Sequence, residues 1–427
     1  MRRQSAAVRS SLVIAVIALI ALGACNDSSG PDGDHLLRRY FAIGGATAAG
    51  FRSGGLTAAS QLEAYPSLLA ARAGVDFEIA LVANPGCPAP FTAPMTPPTG
   101  APACALQDDD DAPGQLLAVP EERVANVLVP ATNPPQNAIF AFKRRLMENR
   151  TALDVAEDGQ ATFVTLQVGE ADVHAAAVSG ILGVPPGGTT VNLPTTAAFT
   201  QSIAAIGSAL AAIESLEGAA VIGILDPVIN SPVLLRGSFY FLARDAAGRF
   251  NGKLVNNNCS PVTPLGQPNP LSANLVSFGT VLSATPAEIN CDPAQNNGEF
   301  LLDANEASTL STRVAEFNQA LSALATQNGW AFIDPNPVAA PLLTQTDANG
   351  RFQQIRKCQL LPTATTAAQF QQAVLNSCPV TGATSAPNMF GVMVSLDALH
   401  PSAEFQELLA DEIATEVNTV FGPGTIP

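Results

Sequence analysis

The sequence is poor in charge, in aromatic rings and in histidine. Charged residues fill 13% of its 427 positions and aromatics 6%, and there are three histidines. So few histidines, and no C-x-x-C pair, leave little with which to build a metal centre, and none is expected. Low charge combined with 47% apolar residues excludes disorder as the main state. Cations are the scarcest charges: 20 Lys and Arg face 36 Asp and Glu, a net −16. Nucleic acid is thereby excluded as a partner, because phosphate contact needs clustered Lys and Arg. Beyond the N-terminal segment no apolar run reaches the roughly 18 residues of a membrane span. A Walker loop, H-E-x-x-H and G-x-S-x-G are also missing, and no resident cofactor is expected.

What is present begins at the N-terminus. Arg2, Arg3 and Arg9 precede the short apolar run Ser11 to Leu22, which ends in Leu22-Gly23-Ala24-Cys25. A positive region, a short apolar run and small residues before a cysteine form a secretory leader, and the last four residues resemble a bacterial lipobox. That resemblance implies a signal peptide over residues 1–24, lipidation of Cys25 and a lipid-anchored protein of the bacterial cell envelope. Asn26, rather than Asp, favours the outer membrane. Loss of three arginines takes the mature chain from −16 to −19. Residues 25–37, which hold the Gly- and Ser-rich stretch Asp27 to Asp34 and also His35, read as a flexible, solvated tether.

Six cysteines remain: Cys87, Cys104, Cys259, Cys291, Cys358 and Cys378. Six allow fifteen connectivities. They fall as three sequential pairs in Pro-, Asn- or Gly-rich stretches, and the pairing 87–104, 259–291 and 358–378 is favoured. Each link closes a loop worth about 3 kcal/mol in chain entropy.

From residue 38 onward apolar strands alternate with amphipathic helices. Strands are expected at 38–43, 76–83, 124–129, 161–168, 219–225 and 330–334. Helices are expected at 56–73 (broken at Tyr65-Pro66), 138–153, 199–216, 306–328 and 403–420. Insertions near 84–120, 229–300 and 336–394 separate them. The acidic run Asp108 to Asp111 reads as a solvated loop, and Asp226-Pro227 as a turn. This alternation argues for an α/β domain over 38–427 with a mostly parallel sheet covered on both faces. In such sheets sites form at the carboxyl ends of strands, here 44–50, 129–132, 169–172 and 397–401.

Four of these segments resemble, in order, the sequence blocks of the SGNH (or GDSL) hydrolases. Tyr40 to Phe51 (YFAIGGATAAGF) is similar to Y-x-A-x-G-D-S-L-T-A-G-F, and Asn126 to Ala131 (NVLVPA) to N-x-x-V-P-G. Thr165 to Asp172 (TLQVGEAD) is similar to V-x-x-G-x-N-D. Ser395 to Pro401 (SLDALHP) matches S-L-D-x-x-H-P in full. The resemblance implies a flavodoxin-like three-layer α/β/α fold and an ester-hydrolase site. It also implies that Asp397 and His400 are the orienting acid and general base, and that Gly169, Ala131 and Ala171 stand at oxyanion-hole positions.

The chemistry departs from the pattern. The nucleophilic serine's position is Ala46 and the preceding aspartate's is Gly45. The second-block glycine is Ala131, and the amide-donating asparagine is Ala171. In subtilisin, loss of the serine costs about a million-fold in rate. Loss of one side-chain oxyanion donor costs about 10²–10³. The expected function is therefore a catalytically inactive relative whose cleft binds an acyl, acetyl-sugar or lipid-like ligand. One alternative is an active esterase that uses Thr47, Ser53, Ser60 or a His400-activated water. Another is an envelope scaffold. His174 is expected at the surface or as a cap. If Cys25 carries the anchor, Cys25→Ser releases the protein from membranes or blocks its processing. Unchanged processing and membrane association of that variant would refute the anchor.

Overall fold

The computed structural model describes residues 35–91, 104–108, 112–131, 138–244, 250, 252–283, 287–295, 298–345, 354–355 and 390–427. The expected leader, Cys25, most of the tether and the pair Cys358 and Cys378 lie outside these residues.

Five strands form a wholly parallel sheet: β1 (Tyr40–Gly44), β2 (Leu116–Ala118), β3 (Phe163–Gln167), β4 (Gly218–Ile222) and β5 (Ala331–Ile333). Their order is β5-β4-β3-β1-β2. β1 to β4 are buried along their whole length, and apart from Tyr40, Thr165 and Gln167, whose polar atoms find partners in the Tyr40–Thr165 and Gln167–Glu170 bonds, their side chains are apolar on both faces. A strand pattern of that kind needs helices above and below it. The helices that matter for the site are α1 (Ala46–Ala49), α2 (Glu170–Ser179), α3 (Thr196–Ala211), α4 (Ala304–Asn328) and α5 (Ala403–Phe421).

α3 packs on α4 through stacked Phe199 and Phe317, 3.8 Å between centroids. Gly207 permits the approach, because a Cβ there would lie 2.1 Å from Leu324. Asp303 and Glu306 close a capping box at the start of α4, and Gly329 ends that helix in the left-handed conformation. α5 packs on the helix Tyr65–Ala73. Among the described residues no helix is long and apolar enough to cross a membrane.

Two expected strands are not strands. Residues 76–83 are extended, but the place beside β1 belongs to β2, from within the expected 84–120 insertion. Side chains, a single bridge and the Gln115 N–H, which donates to the Glu78 carbonyl, take up their backbone groups instead. Gln61 bonds both Ala80 O and Val82 N, and Val82 bridges Leu106. The run 124–129 is a tight turn, with a 3-10 helix at Val124–Asn126. Val124 N–H donates to Asp172, and the carbonyls of Asn126 and Val129 accept from buried Lys143, itself paired with Glu122. Burial pushes the Glu122 carboxyl up to about 7 against the pull of Lys143.

The expected helix 138–153 is two helices, Ala138–Met147 and Ala152–Asp158, because Thr151 and Asp154 form a second capping box. The 229–300 insertion has structure of its own. It contributes strands Leu234–Arg236 and Leu275–Ser277 to a three-stranded antiparallel sheet with Leu301–Leu302, and a two-stranded ladder, Leu254–Val255 with Glu288–Ile289. Disulfides Cys87–Cys104 and Cys259–Cys291 are formed, as expected. His35 is half-buried rather than free in the tether, accepting from Leu37 N–H.

The turn after α1 depends on one glycine. Gly50 has φ +79°, and a Cβ there would lie 2.2 Å from the Ser60 carbonyl oxygen. Gly50→Ala is therefore expected to destabilise the protein by about 2 kcal/mol or more, combining left-handed strain with a clash against fixed backbone. Urea denaturation measures this. An unchanged midpoint would mean that the 50–60 segment does not pack this way.

Candidate functional site

The chain leaves β1 toward β2 on one side and later continues through β3 on the other. The crevice at the carboxyl ends of β1 and β3 is thus the topological switch point of the sheet. A cavity of about 490 Å³ opens there. Its polar lining comes from Glu121, Arg123, His174, Ser179 and His400, and its apolar lining from Ala46, Phe51, Ala171, Ala175, Val178, Phe300 and Leu399.

The last loop is organised around one carboxylate. Asp397 Oδ1 accepts from Ser395 Oγ, Leu399 N and His400 N, each at 2.9 Å. Its Oδ2 accepts from Gly54 N at 2.7 Å and pairs with His400 Nδ1 at 2.9 Å. Ala398 takes a left-handed φ of 65° so that the chain can wrap around these oxygens. Ser395 Oγ also accepts from Ser53 N, and Ser53 Oγ accepts from Leu396 N. The loop after α1 and the loop before α5 are therefore stitched into one piece.

Burial alone would raise the Asp397 carboxyl, but His400 and the backbone donors hold it far below the usual carboxylate range. Burial would lower His400. Asp397 chiefly, with Glu170 and Glu121, overrides this and raises its proton affinity.

A second carboxylate sits beneath the turn at Ala46. Glu170 accepts from Thr47 N at 3.0 Å, Thr47 Oγ1 at 2.7 Å and Gln167 Nε2 at 3.0 Å. Burial raises its pKa, and these donors oppose the rise. A Cβ on Gly45 would lie 3.5 Å from Glu170 Oε2. A carboxylate from the first turn of α2 thus stands beside the backbone at position 45.

The sequence-derived residues come together in part. Ala46, Ala171 and His400 line one cavity, with Asp397 directly behind His400. Ala131 is buried but does not line it; the chain following β2 presents Glu121 and Arg123 there, Glu121 at φ 61°. Gly169, at φ +96°, is a packing glycine, since a Cβ would lie 2.7 Å from the Phe199 ring and 2.8 Å from Ile224.

His174 is not a surface or cap residue. It lines the cavity with its ring edge-on to His400, 5.3 Å between centroids. Burial first, then the neighbouring imidazole, depress its pKa to about 3, so it stays neutral. The candidate substitute nucleophiles are engaged elsewhere. Thr47 Oγ1 donates to Glu170, Ser60 Oγ donates to the Thr57 carbonyl, and Ser53 Oγ accepts from Leu396 N–H. Asp226 is the N-cap of the short helix Pro227–Asn230, where a turn was expected.

Sequence reasoning missed Glu170, Glu121, Arg123 and Phe300. Only Glu170 had a signal, an acid in the first turn of a helix beside a block of interest. Among the described residues no group of three His, Cys, Asp or Glu stands ready to hold a metal ion.

The Asp397–His400 pair makes stability depend on pH with a definite sign. The raised His400 contributes fully below its unfolded pKa, about 6.5, and its contribution fades as pH climbs through the folded value. The depressed Asp397 contributes above its unfolded pKa, about 3.9, and its contribution fades as pH falls through the folded value. Asp397→Asn should therefore cost most near pH 5–6, about 3 kcal/mol for a buried pair with one partner removed. It should cost less at high pH, above the His400 transition, where the attraction of an imidazolium is gone and only the carboxylate's bonds to its neutral donors are lost. Urea denaturation at the two pH values measures the difference, and equal costs would mean that His400 carries no charge in the folded protein.

No family model, no curated protein and no solved structure matches this chain.

Proposed function

We propose that the protein is an SGNH/GDSL hydrolase-like lipoprotein of the bacterial cell envelope whose cleft binds an acyl-bearing ligand without turning it over. The observation that carries this reading is the pairing of Ala46 and His400 in the walls of one cavity. The base is present, oriented through Nδ1 by Asp397 as general-base chemistry requires. Ala46, at the position that the family resemblance gives to the nucleophile, offers only a methyl group. The hydroxyl of Ser179, the one hydroxyl among the lining residues, is spent on the Ala175 carbonyl one helical turn back.

The oxyanion side is equally reduced. Ala171 has no amide to donate, and the chain after β2 offers Glu121, whose carboxylate opposes a developing negative charge. The raised proton affinity of His400 also works against activation of a water near neutral pH. What remains is a partly enclosed cavity of ordinary ligand size with both polar and apolar walls. Anchoring through a lipidated Cys25 would place that cavity at a membrane surface.

The test is gain of function. The natural protein is expected to hydrolyse short-chain nitrophenyl esters no faster than background. Ala46→Ser with Ala171→Asn is expected to yield a measurable His400-dependent rate, because a hydroxyl and an amide return to a cavity with room for both. Adding Gly45→Asp should lower that rate rather than raise it, since a second carboxylate would face Glu170. Turnover by the natural protein that disappears in a folded His400→Ala variant would overturn the non-catalytic reading. A folded double variant that remains silent would remove the cleft's claim to a hydrolase frame.

A further inference from the structure

A second depression, of about 830 Å³, opens on the other half of the sheet, beside the carboxyl ends of β4 and β5. It shares no lining residue with the first cavity. α4 forms one wall. Phe332 of β5 and the short helices Pro227–Asn230 and Pro335–Ala339 form the rest. The amide of Asn336 is the hub of its polar side. Asn336 Oδ1 accepts from Asp226 N and from Asn230 Nδ2, each at 2.8 Å, and its Nδ2 donates to Asp334 Oδ1 at 2.7 Å.

Three oxygens around this hub have no donor. Asp226 Oδ1 accepts from Val228 N and Ile229 N, and Asp334 Oδ1 accepts from Asn336 N, so each carboxylate caps its helix with one oxygen. The Oδ2 atoms of both accept nothing from the described residues. Asn230 also lines the depression, is 2% exposed, and holds its Oδ1 buried without a partner. Of the buried, unpartnered side-chain atoms among the described residues, this is the one that belongs to a residue lining either cavity. No Lys, Arg or His lines the depression, and among the described residues neither aspartate forms an ion pair. On the opposite wall Ser311, Ala315, Gln319 and Ser322 stand at i, i+4, i+8 and i+11, one stripe of α4. The stripe is about 16 Å long at 1.5 Å per residue. Its two hydroxyls and its amide bond to no other described residue.

We propose that this depression is a second ligand site, for a polyhydroxylated primary amine of amino-sugar size. Its ammonium group is held by Asp226, Asp334 and Asn230, and its hydroxyls lie along the Ser311–Ser322 stripe of α4. The proposal does not rest on what the first cavity binds. An alkylammonium offers three N–H donors and no acceptor, which matches three oxygens that lack donors. Two carboxylates with no cation beside them repel an anionic ligand. A bare calcium ion takes six or more oxygen ligands, and among the described residues no group of three His, Cys, Asp or Glu could hold a metal. An apolar amine would leave the hydroxyl stripe of α4 without a role.

The experiment is equilibrium binding of glucosamine, glucose and cyclohexylamine to the full chain at low salt and mildly acidic pH, followed by line broadening of the ligand NMR signals. Glucosamine is expected to bind roughly tenfold or more tightly than glucose, which lacks the ammonium group. It should also bind more tightly than cyclohexylamine, which lacks the hydroxyls. Asp226→Asn and Asp334→Asn keep a side-chain oxygen for their helix caps, so the fold is retained. Each should weaken glucosamine roughly tenfold, the worth of a charge-assisted hydrogen bond, and leave glucose unchanged. Glu121→Gln, at the rim of the first cavity, should change nothing.

Equal affinity for glucosamine and glucose would overturn the ammonium site, and so would glucosamine binding that survives both aspartate variants. A loss in Glu121→Gln that the aspartate variants do not share would place the amine in the first cavity and remove the second site. Tighter binding of cyclohexylamine would overturn the role of the α4 stripe. Absence of glucosamine binding would overturn the proposal as a whole, while leaving the reading of the first cavity untouched.

Discussion

The carboxylate of Asp397 is the constraint on which the site depends. It accepts five hydrogen bonds: three from backbone N–H groups, one from a hydroxyl and one from the imidazole. An ionised carboxylate in a buried place is costly unless its lone pairs are matched, and here each oxygen is matched more than once. The matching donors come from two segments more than 340 residues apart in sequence. Folding the carboxylate into place therefore fixes the 51–54 turn, the 395–400 loop and the His400 ring together. Phe51 packs edge-on against His400, 4.9 Å between centroids, which adds an apolar brace to the polar one.

Glu170 performs a similar service on the other wall. Its two oxygens collect the backbone and side chain of Thr47 and the amide of Gln167, so the start of α1 cannot drift from the start of α2. Gln406 of α5 extends the network, donating to the Thr47 carbonyl and accepting from Tyr65 N–H. These bonds are buried, and loss of any partner would strand polar groups at about 1–3 kcal/mol each. The cavity floor is thus rigid for reasons unrelated to whether residue 46 carries a hydroxyl.

Much of this architecture was legible in the sequence, and the failures are instructive. β1, β3, β4 and the long helices α3, α4 and α5 carry strong periodicity with explicit caps, and they lie within a few residues of their expected positions. The Asp397–His400 spacing pointed directly at the last loop. By contrast, 76–83 and 124–129 have strand-like apolar patterns and pair with nothing as strands. Side chains elsewhere, Gln61 for one and Lys143 with Asp172 for the other, capture their backbone groups. Periodicity records burial, and it does not record which partner satisfies the peptide groups. β2 was hidden for the converse reason. Three residues at a sheet edge are too short to show a period. His174 was misjudged because a histidine in the first turns of a helix is usually solvated. Only the fold brings residue 400 to its side.

The Asp397–His400 pair therefore has two physical readings of unequal weight. As a catalytic pair they would need a group to deprotonate, and the cavity wall beside them holds the methyl group of Ala46. As a structural pair they hold two loops and the walls of a cavity, and replacing Asp397 would leave Gly54 N, Leu399 N and His400 N in search of acceptors. The serine hydroxyl and asparagine amide expected from the family resemblance would have had no comparable duty to the fold. The small side chains at 46 and 171 border the cavity, Ala46 from a buried position and Ala171 from a half-buried one. An intact Asp-His pair is accordingly evidence for the shape of the cleft, and the chemistry of the cleft has to be judged from what faces the imidazole.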